Sequence, residues 1–334
     1  MLMNQTPFSA LFATTGTGIQ RAARSGGKWV LTDHLEDRDV RCLAVDGRGT
    51  VVAGTQGEGV WRSDDGKSWT QSGLATEIVK SLSFCAAQPE TLYAGTKPPH
   101  LYRSDDGGRT WRELEAFRGI RGRAMWRQPA ERPSTAYVQA IACSPTDPDV
   151  AVVGMEAGAV VRTDDGGRTW SNHLTGACRD CHVLTFHPDG EHVYEGGGGV
   201  TAPGVAISAD RGQTWDRPRK GLDKKYGWAV AADPGDAERV FIALSPSAMK
   251  AHSGGKAQAT IYRREAQGTW GAISGGLPEP LNDMPYALLT HPSTERYVTA
   301  GLANGDVWET HDAGRTWHRS ELKFKAVHRV LIGF

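Results

Sequence analysis

Thr163-Asp-Asp-Gly-Gly-Arg-Thr-Trp170 is the stretch whose reading decides the fold, because it recurs along the chain. It returns as Ser104-Asp-Asp-Gly-Gly-Arg-Thr-Trp111, Ser208-Ala-Asp-Arg-Gly-Gln-Thr-Trp215 and Thr310-His-Asp-Ala-Gly-Arg-Thr-Trp317. A copy shortened by one residue runs from Ser63 to Trp69, and worn copies keep little beyond Trp29 and Trp270. The tryptophans at 29, 69, 111, 170, 215, 270 and 317 are spaced 40, 42, 59, 45, 55 and 47 residues apart. A repeat of this period is the signature of a propeller or a solenoid. Seven units, two of them enlarged, predict an all-β, seven-bladed β-propeller, with residues 1–334 forming one domain.

The strands repeat with the word. A first strand reads Val40-Arg-Cys-Leu-Ala-Val45, Val79-Lys-Ser-Leu-Ser-Phe84, Val138-Gln-Ala-Ile-Ala-Cys143 and Cys181-His-Val-Leu-Thr-Phe186, with further copies from 227, 285 and 327. A turn, a second strand such as Leu92-Tyr-Ala-Gly-Thr96, and a third entering the word follow. The chain opens at 10–14, 18–23 and 28–32 with strands two, three and four but no strand one. Residues 327–332 are expected to supply it, closing the ring and removing two exposed sheet edges.

The repeated word resembles the Asp-box, or BNR repeat, of sialidases, sortilin-type receptors, several glycoside hydrolases and photosystem assembly factors. The resemblance spans nearly the whole chain. Within each copy the Asp carboxylate can accept backbone N–H bonds, the Gly tolerates positive φ, the Ser or Thr hydroxyl closes the turn, and the Trp wedges between sheets. Such Asp residues are structural rather than catalytic. The kinship implies a ligand face opposite these turns, where the expected insertions at 113–136, 196–204 and 245–260 also gather.

Composition narrows the function classes. The chain holds 41 Gly and 11 Trp among 334 residues, which suits short strands and tight turns. Lys plus Arg and Asp plus Glu are both 38, so no basic field exists to hold nucleic acid. No apolar run reaches the roughly 18 residues of a membrane span, and Met1 to Arg24 lacks a secretory apolar core. A soluble, cytoplasmic monomer is expected. Cys42, Cys85 and Cys143 fall in apolar strand patterns and read as reduced thiols.

Seven residues entering strand one occupy equivalent places around the expected central funnel: Arg41, Lys80, Gln139, His182, Trp228, Tyr286 and His328. Most are polar or amphipathic and the seven comprise six residue types, which points to a ligand-contacting row. Glu156 and Glu195 add carboxylates near His182, and Glu195 stands where other blades carry a small residue. His182, Glu195, Glu156 and Tyr286 are the candidate catalytic residues. His252, Arg263 and Tyr226 are further ligand candidates, and Trp126, with Arg121, Arg123 and Arg127, forms a candidate flap. The run Cys178-Arg-Asp-Cys181-His182 offers only half a zinc site, so neither metal nor cofactor is expected.

A sialidase resemblance would demand an Arg-Ile-Pro motif, and none occurs. Two carboxylates could hydrolyse a glycoside, with one held protonated. Histidine and tyrosine could instead drive an elimination. The sequence therefore points to a small-molecule or carbohydrate-like ligand, with a non-catalytic protein-binding scaffold as the other class.

Overall fold

A computed structural model describes residues 6–128, 132–199, 202–264 and 268–334. Parts of two expected insertions, residues 129–131 and 200–201, lie outside the described residues. The fold is the expected seven-bladed, all-β propeller, with seven antiparallel sheets each in simple meander order. Five sheets have four strands. The sheets beginning at Tyr137–Cys143 and Cys181–Phe186 have three, because the chain after Trp170 and Trp215 does not extend the ladder beyond one bridge, Ile207 to Asp216.

Blades two to five form one compact unit, Arg38–Gly198 with Gly204–Arg217. Blades six, seven and one form the other, Met1–Asp37, Gly199–Pro203 and Pro218–Phe334. In the three-blade unit, Leu331–Gly333 pairs antiparallel with Ala10–Thr14, joining Leu11 to Gly333 and Ala13 to Leu331. The closing strand is therefore shorter and later than the expected 327–332. Residues 328 and 330 bond to Thr14 of the first blade outside the strand pairing, and His328 is a loop residue.

The word folds the same way in its four full copies. Ser104 Oγ accepts the Gly108 amide at 2.7 Å and donates to Asp106. Asp106 accepts the Thr110 amide at 2.8 Å and its hydroxyl at 2.6 Å. The Thr163, Ser208 and Thr310 copies repeat the set. The Thr169 hydroxyl holds Asp165 down to about 2. The residue after the Asp is left-handed throughout: Gly107 and Gly166 take it without strain, whereas Arg211 (φ 62°) and Ala313 (φ 61°) do not.

A second device was not read from the sequence. The arginine just before the word's first residue reaches the next blade's turn. Arg62 donates to Gly107 O at 2.8 Å, Arg162 to Arg211 O at 2.7 Å and Arg263 to Ala313 O at 2.7 Å. Each bond lies within one unit and satisfies a carbonyl that the tight turn leaves unpaired. This corrects the expectation for Arg263, which links blade six to the turn of blade seven.

Candidate functional site

The row of seven has a local structural cause. Six of its members sit where the pairing of strands one and two slips: Arg41, Lys80, Gln139 and His182 in the four-blade unit, Trp228 and Tyr286 in the three-blade unit. A β-bulge frees one residue from the ladder and re-aims its side chain. That is why these positions escape the apolar pattern of their strands.

In the three-blade unit the bulged residues open onto a cleft of about 300 Å³. Trp228, Tyr286, His252 and His328 line it, with Arg329 and Asp283 beside them. The one-turn helix Ala248–Ala251, capped by Ser247 accepting the Lys250 amide, delivers His252 to its edge. His252 lies edge-on to Trp228 at 5.3 Å between centroids and stacks on Tyr286 at 6.0 Å. Its Nε2 is 2.8 Å from Tyr226 Oη and its Nδ1 is 2.8 Å from Tyr286 Oη. Tyr286 Oη also donates to Ala251 O at 3.3 Å. Its lone pairs then face Nδ1, so the imidazole carries its hydrogen there and accepts from Tyr226 at Nε2. The result is a Tyr–His–Tyr hydrogen-bonded chain. Burial pushes the Tyr286 hydroxyl up to about 12, against the pull of the Arg329 charge.

In the four-blade unit, His182 is 4% exposed and its Nε2 lies 3.6 Å from Asp180 Oδ2. Gln139 donates to His182 O at 3.5 Å. Glu156 accepts Gln128 Nε2 at 2.5 Å. Glu156, Asp180 and His182 each bring one potential ligand atom within 4.8 Å of the others, the one such group among the described residues. Asp180 was not singled out from the sequence, although a carboxylate two residues before a bulged histidine was the available signal.

Glu195 lies elsewhere. It has no exposed surface, accepts the Cys178 amide at 2.7 Å, and packs against the Cys178 and Cys181 thiols. Burial raises its carboxyl to about 7, against the pull of the Cys178 amide and Arg217. Arg217 donates to Cys178 Sγ at 2.9 Å. This corrects the expectation that Glu195 faces a ligand, because a residue enclosed by its own sheet cannot touch one. The paired-carboxylate mechanism loses a partner with it.

Arg41 pairs with Asp39 at 2.5 Å. Lys80 is buried with its ammonium 4.5 Å above the Tyr137 ring. Trp126 is core: it packs against Phe117 at 6.4 Å within an apolar cluster containing Tyr137's neighbour Val138 and Met155. Arg123 donates to Pro99 O at 2.8 Å. The expected flap is therefore a packed 3-10 segment rather than a lid.

Known proteins add the fold. A family model described as "DUF6242 beta propeller domain" matches residues 2–242. No curated protein matches the chain. Among solved structures, a Bacteroides uniformis protein with a provisional 6-phosphogluconolactonase assignment has a TM-score of 0.67 at 11% identity, covering 98% of this chain and 99% of that one. A YCF48 structure with a bound D1 peptide has 0.59 at 16%, covering 96% and 87%. The GH74 enzyme of Niastella koreensis has 0.63 at 16%, over 85% of this chain, which spans 45% of that enzyme. At these identities the likeness speaks for fold alone. No helix among the described residues is long and apolar enough to cross a membrane.

Proposed function

The chain belongs to the DUF6242 β-propeller domain family, and from that premise we propose that it binds a small, carbohydrate-like ligand in the cleft of the three-blade unit. The Tyr226–His252–Tyr286 chain beside Trp228 carries this reading. Aromatic groups suit the C–H face of a sugar ring, and Asp283, His328 and Arg329 suit its hydroxyls. A pocket of this size, apolar at its base with a few convergent polar groups, is the ordinary form of a small-ligand site. Breaking either tyrosine bond would free a ring nitrogen of His252 to exchange a proton directly with a bound hydroxyl, so acid–base turnover at His252 is the catalytic form of the proposal.

The repeated word reads as an Asp-box on its resemblance and its turn geometry. The five free cysteines suit a reducing, cytoplasmic setting. Saturation-transfer NMR against neutral mono- and disaccharides tests the binding proposal. Wild type should give signals that His252→Gln and Tyr286→Phe weaken by up to roughly tenfold, the loss of one hydrogen bond. Sugars that bind no better than buffer controls, or equally well in both variants, would reject the cleft and favour the scaffold reading.

A further inference from the structure

We propose that Glu156, Asp180 and His182 form a binding site for one first-row divalent transition cation, with Gln128 and the Ala157 amide holding the two carboxylates in place. The site lies wholly in the four-blade unit and is independent of the cleft. Glu156 ends the strand Ala151–Glu156, and His182 is the bulged residue of Cys181–Phe186. Asp180 lies in the loop before that strand. Gly158 N donates to Arg179 O and Gly198 N to Asp180 O, each at 2.7 Å, so the loop is pinned from both sides.

Each carboxylate has one oxygen held by an outer donor and the other turned toward the group. Gln128 donates to Glu156 Oε1, while Oε2 is buried and has no hydrogen-bond partner. The Ala157 amide donates to Asp180 Oδ1 at 3.2 Å, while Oδ2 faces His182 Nε2. A buried carboxylate oxygen without a donor is costly, and a cation removes that cost. Fixing the outer oxygens is the usual means of orienting ligands toward a metal.

Distances set the fit. A cation about 2.0–2.2 Å from each donor allows donors up to roughly 4.4 Å apart. The three groups lie within 4.8 Å of one another, so closing all three on one ion needs each donor to move by no more than about 0.8 Å. One imidazole with two carboxylates suits Mn²⁺ or its first-row neighbours better than Ca²⁺ or Mg²⁺, which take all-oxygen shells. The Cys178 and Cys181 thiols face Glu195 and are not part of this set.

The test is Mn²⁺ binding to the full chain, followed by calorimetry and pulsed EPR. One ion per chain is expected, with coupling to a single imidazole nitrogen. Asp180→Asn and His182→Gln should weaken binding by at least about 100-fold, and Gln128→Leu by about 10–100-fold. The Cys178→Ser/Cys181→Ser double variant should bind as wild type. Absence of binding at millimolar Mn²⁺, absence of the nitrogen coupling in wild type, or binding lost with the thiols overturns the proposal. The spectroscopic result stands even where a variant fails to fold.

Discussion

The cleft of the three-blade unit and the carboxylate cluster of the four-blade unit grow from the same repeat position, the bulged residue of strand one, yet they are opposite kinds of place. In the cleft the bulges carry Trp228 and Tyr286, and exposed His252 is brought in by an insertion. In the cluster the bulge carries His182, which is 4% exposed, and the neighbouring carboxylates are held from behind by Gln128 and the Ala157 amide. One bulge geometry thus serves two chemistries, and the surrounding insertions decide which groups meet there. An open site tolerates change in its side chains. An enclosed one is part of the core that supports it.

That contrast predicts a ranked set of stabilities. Trp126→Ala, beside the enclosed region, should cost about 3–5 kcal/mol in urea unfolding, because it empties a packed core position. A loss under about 1 kcal/mol would restore the flap reading.

Glu195→Gln tests the enclosed region through pH. The folded carboxyl is raised to about 7 from an ordinary 4.5, so the native state binds the proton more tightly than the unfolded chain. Its contribution is full below about pH 4.5 and is lost as pH rises through about 7. That difference corresponds to roughly 3 kcal/mol. Wild-type stability should fall across that window, and the variant should not. Equal slopes in both proteins would mean Glu195 is solvated.

His252→Gln should change unfolding stability by less than about 1 kcal/mol while altering ligand binding, since its side chain lies at an open edge. A larger loss would place the Tyr–His–Tyr chain in the structural core and erase the contrast.

The smallest effect concerns the turns. Ala313→Gly relieves about 1–2 kcal/mol of left-handed strain but returns about 0.4–1 kcal/mol of unfolded-state entropy. A net gain of roughly 0.5 kcal/mol is expected by urea unfolding, with no change at either site.

Much of this architecture was legible before any coordinates. The word at Ser104, Thr163, Ser208 and Thr310 closes on itself within seven residues, so its hydrogen bonds follow from local spacing. The interblade arginines at 62, 162 and 263 were missed, because their partners lie 45, 49 and 50 residues away. The row of bulged residues was visible as a break in apolar patterning, but its burial was not. Trp126 and Glu195 looked like site residues, but Glu195 is enclosed by its own sheet and Trp126 is packed into the apolar cluster around Phe117.

By itself, then, the sequence determined the number of blades, the turn that ends each third strand, and the residues that leave the strand pattern. Those are short-range matters of hydrogen bonding and backbone conformation. Only the tertiary structure decided that Asp180 meets Glu156 and His182, that Glu195 turns inward to the thiols, and that His252 stands between two tyrosines. Each of those meetings depends on how loops from different strands pack, a matter of volume and burial that no local spacing encodes.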